Sequence, residues 1–171
     1  MPAKTAIDID GSEAVSTALL ALLNQFPGLK PSEKILFSTV PDDGGIGFYP
    51  TSGAVYLKNK EDITGRVRQV CQYPFSVIYR AGAKTENQRL RIKEFLDALG
   101  KWLERQPVTI SGSVCQLQEY PALASGNREI QSINRTNPAH LNAAYDDGME
   151  DWVISATLNY KNEFYKTSLN D

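Results

Sequence analysis

Two carboxylates one residue apart, followed by Gly and Ser, make Asp8-Ile9-Asp10-Gly11-Ser12 the sharpest chemistry-bearing string in the chain. Carboxylates are among the side chains that can serve as nucleophile, general acid or general base. Adjacent acids at Asp42-Asp43 and the run Asp146-Asp147-Gly148-Met149-Glu150-Asp151 offer oxygen ligands of the kind that hold magnesium. Neighbours on a strand point to opposite faces, and in loops such pairs form turns, so neither string makes a metal site by itself. A zinc site needs three or four His or Cys ligands, yet His140, Cys71 and Cys115 are all the chain offers, and they lie far apart. His140 stands beside Pro138 with no companion motif for Ser-His-Asp or Cys-His chemistry, and reads as a surface or capping histidine. Gly44-Gly45-Ile46-Gly47 runs into Phe48-Tyr49-Pro50 rather than into a helix, so it is a turn and not a phosphate cradle.

The Asp8 string resembles the D-x-D-G-[ST] signature of haloacid-dehalogenase-type phosphatases, which implies a magnesium-dependent enzyme built on Asp8 and Asp10. In that family the nucleophile sits at the tip of a buried apolar strand. Here only Ala3-Lys4-Thr5-Ala6-Ile7 precedes it, short and weakly apolar, and the competing reading is that Asp10 or Ser12 caps a helix.

The elements that position these residues follow from pattern. A helix is expected over 12–26, with Val15, Leu19, Leu22, Leu23 and Phe26 as its buried stripe and Pro27-Gly28 as its stop. Short strands at 35–37, 46–49 and 54–57, separated by glycine- and proline-bearing connectors, read as hairpins or a meander. A long strand follows over 65–80. Val67, Cys71, Tyr73, Phe75, Val77 and Tyr79 line one face, and Arg66, Arg68, Gln72, Ser76 and Arg80 the other. Pro74 cannot donate to a ladder, so an edge or bulge is expected there.

Thr85 and Gln88 have capping-box spacing and open a helix over 86–105 whose stripe is Ile92, Phe95, Leu96, Leu99, Trp102 and Leu103. Further strands are expected over 114–161, at 114–118, 128–135 and 152–161. Asn137-Pro138 opens a short helix or turn ending at Tyr145, and an acidic loop spans 146–151. Together these predict an α+β fold, one domain over residues 1–171, with an antiparallel or mixed sheet and both amphipathic helices on one face.

Composition narrows the partners. Across 171 residues, 18 Lys and Arg against 20 Asp and Glu give a net charge of −2, unlike a protein that grips nucleic acid through its overall charge. The longest apolar run, Ala18-Leu19-Leu20-Ala21-Leu22-Leu23, is too short to cross a bilayer, and Met1–Thr5 lacks a signal-type apolar region, so synthesis in the cytoplasm is expected. Cys71 and Cys115 are expected to be reduced and buried.

Two sets of strings carry a further likeness. One is Tyr73-Pro74-Phe75-Ser76-Val77-Ile78-Tyr79-Arg80-Ala81 with Arg89-Leu90 and the run from Glu94 to Leu103. The other is Ile133-Asn134-Arg135-Thr136, the run from Tyr145 to Trp152, and the run from Leu158 to Phe164. Over residues 70–166 the chain resembles the minor capsid or tail-terminator proteins of long-tailed phages and prophages of Gram-positive bacteria. The resemblance implies a non-enzymatic virion protein, made in the bacterial host cytoplasm and needing no cofactor. Its partners would be other copies of itself in a hexameric ring, the tail tube and the head connector, with no specific nucleic acid and no membrane. It transfers no catalytic residues. A protein-binding module outside any virus is the remaining alternative. Arg66, Arg68 and Arg80 on the long strand and Asp146, Asp147, Glu150 and Asp151 in the acidic run have opposite signs, and are expected to meet between neighbouring subunits.

Overall fold

The computed structural model describes residues 11–53, 55–82, 85–124 and 127–166. In chain order the elements are α1 (Ser12–Leu23), β1 (Ile35–Phe37), β2 (Gly45–Pro50), β3 (Tyr56–Glu61), β4 (Arg66–Gly82), α2 (Glu86–Leu103), β5 (Val108–Ile110), β6 (Ser113–Cys115), β7 (Asn127–Arg135), β8 (His140–Ala144) and β9 (Met149–Tyr165). Asp8 and Asp10, the pair behind the phosphatase reading, lie outside the described residues, as does Ala54 at the start of one expected strand.

The frame is the antiparallel pair β4–β9, two 17-residue strands matched along their whole length from Arg66 opposite Tyr165 to Gly82 opposite Met149. Each long strand carries two short strands in tandem on its outer edge. β3 and then β2 follow β4, while β7 and β8 follow β9, and β1 extends β2. Among the described residues this makes a seven-stranded mixed sheet, with β5 and β6 forming a separate two-stranded one.

Both helices lie on one face, so the α+β architecture is as the pattern predicted. Val15, Leu19, Leu22 and Leu23 of α1 and Leu96, Leu99, Trp102 and Leu103 of α2 share one core with Cys71, Tyr73, Phe75 and Val77 of β4 and Ile154, Ala156, Leu158 and Tyr160 of β9. These strand positions alternate, as a sheet with one packed face requires. Phe26 joins the two helices, its ring 5.5 Å from those of both Phe95 and Trp102.

The capping box forms as spaced: Thr85 Oγ1 accepts from Gln88 N, and Thr85 N donates to the Gln88 side chain. At α1 the expected cap is corrected. Gly11 occupies the cap position at φ 80° with no side-chain cap bond, and Ser12 is already the first helical residue. The helix also ends earlier, at Leu23, because Asn24 diverts the chain. Its amide donates to Leu20 O and Ile35 O, each at 3.0 Å, and accepts from Ile35 N at 2.8 Å, tying the helix end to β1.

Two further expectations change. Rather than forming hairpins with one another, β1 and β2 pair in parallel, and β2 and β3 both pair with β4. A parallel pair ordinarily needs a long crossover. Here Ser38 at φ 52° turns the chain and residues 39–40 pass directly over Gly47, where a Cβ would stand 2.4 Å from Thr39 O and 2.6 Å from Val40 Cγ2. Only glycine admits that crossing. The segment read as a short helix ending at Tyr145 is instead β8, held to β9 from His140 opposite Val153 to Ala144 opposite Glu150. Pairing with a long neighbour overrides the weak local preference of His140-Leu141-Asn142-Ala143-Ala144.

Pro74 sits without a bulge in the β4–β9 ladder. Its carbonyl accepts from Thr51 N, away from β9, and its nitrogen faces the same way. That side is the interval between β3, whose pairing stops at Cys71, and β2, whose pairing starts at Phe75. The missing N–H is therefore one that no neighbouring strand needs.

Candidate functional site

The polar face of the sheet, opposite the helices, collects the residues singled out by sign. In register from one end to the other it carries Arg68 opposite Glu163, Val70 opposite Lys161, Gln72 opposite Asn159, Pro74 opposite Thr157, Ser76 opposite Ser155, Ile78 opposite Val153 and Arg80 opposite Asp151. Ser76 and Ser155 share a hydrogen bond of 2.8 Å across the two strands.

At the β9 N-terminal end, Arg80 binds Asp151 with Nε to Oδ1 at 2.7 Å and Nη2 to Oδ2 at 2.9 Å. Tyr145 Oη donates to Asp151 Oδ2 at 2.8 Å, and the Arg80 guanidinium stands over the Tyr145 ring. Three donors thus converge on one buried carboxylate, and the Arg80 guanidinium first of all holds it below the usual carboxylate range. Glu150 points the other way, towards the helices. It accepts from Arg89 Nη2 at 2.9 Å and from Trp152 Nε1 at 3.2 Å, and the Arg89 contact lowers its pKa too.

The acidic run is therefore not one loop. Asp146, Asp147 and Gly148 form the exposed β8–β9 turn, in which Asp147 Oδ1 accepts from Met149 N at 3.0 Å, while Glu150 and Asp151 are buried strand residues. Arg80 also reaches Asp42 at 3.7 Å, which brings the 41–45 turn, with exposed Asp42 and Asp43, beside the β8–β9 turn.

The opposite end is basic. Arg66 pairs with Glu163, and Arg68 lies 3.7 Å from the same carboxylate while remaining 61% exposed. Around them Lys58 and Lys60 of β3 and Lys161 of β9 help line a groove of about 760 Å³. Of the residues chosen by charge, the structure thus joins Arg80 to Asp151 and Arg66 and Arg68 to Glu163 inside one chain. It leaves Arg68, Asp146 and Asp147 exposed at the two ends. The sequence reading passed over Lys58 and Lys60, although their spacing of two on a strand puts both on one face.

As chemistry, the carboxylates best positioned by the fold are spoken for by guanidinium groups, which leaves them poor proton carriers near neutrality. Glu150 and Asp151, adjacent on β9, diverge to opposite faces of the sheet. Among the described residues no group of three or more His, Cys, Asp or Glu side chains could hold a metal ion. His140 is exposed, with Nδ1 3.0 Å from Pro138 O. Cys71 is buried and Cys115 half-buried, and both are free thiols. Burial and a hydrogen bond to Glu33 push the Tyr79 hydroxyl up to about 12. Among the described residues no helix is long and apolar enough to cross a membrane.

No protein-family model and no curated protein sequence matches the chain. Among solved structures, a chain from the virion of a native gene transfer agent particle is similar over 92% of this chain and 100% of its own length, at 10% sequence identity and a TM-score of 0.40.

Proposed function

We propose that this protein is a non-enzymatic structural component of a phage-type virion, a tail terminator or head–tail joining protein that forms a homohexameric ring on the tail tube and meets the head connector. The observation that carries the reading is the division of the β4–β9 sheet. One face is sealed by both helices, and the other is polar and bears opposite charge at its two ends. A ring subunit needs one stable core and two unlike surfaces, because head-to-tail contacts are heterologous and close only at a fixed rotation. The strings over residues 70–166 supply the virion setting. Arg80, Glu150 and Asp151 then serve to fix the end of the sheet, with assembly surfaces left to the exposed charges around them.

The test is sedimentation of the full chain, followed by negative-stain imaging of the chain mixed with tail tubes. Six-fold rings seated on tube ends are expected. A chain that neither self-associates nor binds tubes or connectors would overturn the reading.

A further inference from the structure

The two charged ends of the sheet differ in sign. The acidic end is made of two neighbouring turns that present Asp42, Asp43, Asp146 and Asp147. The basic end is the concave groove lined by Lys58, Lys60, Arg66, Arg68 and Lys161, with Glu129 and Glu163 as its acids. Along β4, Arg68 and Arg80 are twelve residues apart, which places the ends roughly 40 Å from each other. The charges of one end therefore cannot neutralise those of the other within a chain, since that span is several screening lengths.

Within the groove one pairing works against an isolated subunit. Lys60 stands directly opposite Arg68, a like-charge cross-strand pair that costs stability. Lys58 and Lys161 flank Val70 from its two sides. Among the described residues Lys58, Lys60 and Lys161 form no ion pair, and neither do Asp43 and Asp146. Arg68 and Lys161 each stand opposite a carboxylate, Glu163 and Glu129, whereas Lys58 and Lys60 have none in register and so offer an acidic partner its contacts.

We propose that the occupant of the groove is a second copy of this chain, which inserts its 41–45 and 146–148 turns against Lys58, Lys60 and Arg68. This deepens, and rests on, the ring reading: the contact joins unlike surfaces and so propagates from subunit to subunit until it closes. A second copy is favoured over a nucleic acid because the complementary charge is present on the same molecule, and because the chain as a whole carries a net charge of −2.

The test compares the full chain with Lys58→Glu/Lys60→Glu, with Asp43→Lys/Asp146→Lys, and with an equimolar mixture of the two variants, by sedimentation velocity at low and high salt. All four positions are exposed, and circular dichroism melting checks that the variants fold. The wild type is expected to associate, more weakly at high salt. Each variant alone should lose about tenfold or more in association constant, and the mixture should regain it. Variants that assemble like the wild type would overturn the pole-to-groove contact and leave the ring reading standing. A wild type that stays monomeric at low salt and high concentration overturns the contact as well, while tube imaging judges the ring reading separately. Retention of duplex DNA that is lost in Lys58→Glu/Lys60→Glu, without any self-association, would reassign the groove to phosphate.

Discussion

Arg80 and Asp151 lie directly opposite each other on β4 and β9 and close two parallel hydrogen bonds, 2.7 Å and 2.9 Å long, across the polar face of the sheet. The pair is 71 residues apart in sequence, so its formation fixes the register of the whole ribbon at one end. A slip of one strand by one residue would turn its member of the pair to the opposite face.

Removing one partner should therefore cost more than an exposed ion pair would. Asp151→Asn or Arg80→Ala leaves a buried polar group half-satisfied, and a loss of about 2–3 kcal/mol is expected. Arg80→Lys should recover only part of it, because an ammonium cannot make the two-pronged contact. Urea denaturation reads the difference, and an Arg80→Lys midpoint equal to wild type would contradict the bidentate account.

Acid should act on the same end of the sheet. The carboxyls of Asp151 and Glu150 are held below their ordinary values by Arg80 and Arg89. A carboxyl lowered in the folded state contributes stability that is complete above its unfolded pKa and is lost as pH falls through the folded one. The expected decline begins near pH ~4, where free carboxyls titrate, and continues below it. In a series of melts from neutral pH downward, Asp151→Asn should give a shallower decline than wild type. An identical slope would place the acid sensitivity elsewhere.

Gly47→Ala should destabilise through crowding rather than charge. Its Cβ would meet a backbone oxygen, Thr39 O, at 2.4 Å, and backbone cannot swing aside as a flexible side chain does. A cost of about 1–3 kcal/mol is expected, measured by thermal melting. Full tolerance would mean that residues 39–40 can lift from β2, and the parallel β1–β2 pairing would then lose its explanation.

The parts of this architecture that were legible in the sequence are those set by local chemistry. Thr85 and Gln88 mark the start of α2 because a capping box is a property of four consecutive residues. The long alternation around Tyr73, Phe75 and Val77 marks β4 because one face is packed. What escaped depends on partners distant in the chain. His140–Ala144 has no strand character of its own and becomes β8 only beside β9. Ser12 looked like a cap, but the chain enters α1 in a left-handed conformation at residue 11, φ 80°, which glycine adopts without strain, so Gly11 takes the cap position. Arg80 and Asp151 were both marked by charge, yet only the register shows that they satisfy each other within one chain. Lys58 and Lys60 escaped because a short, wholly exposed strand shows no hydrophobic alternation.

The interval between β2 and β3 has a consequence for what the protein avoids. Tandem short strands along one long strand create an internal gap where a foreign chain could zip in and seed fibrous growth. Here Gln72 N–H is already given to Val55 O and the Pro74 carbonyl is taken by Thr51. Where an intruding strand would next seek a donor it meets a pyrrolidine ring, so this edge is barred against templating at the point where it is least covered.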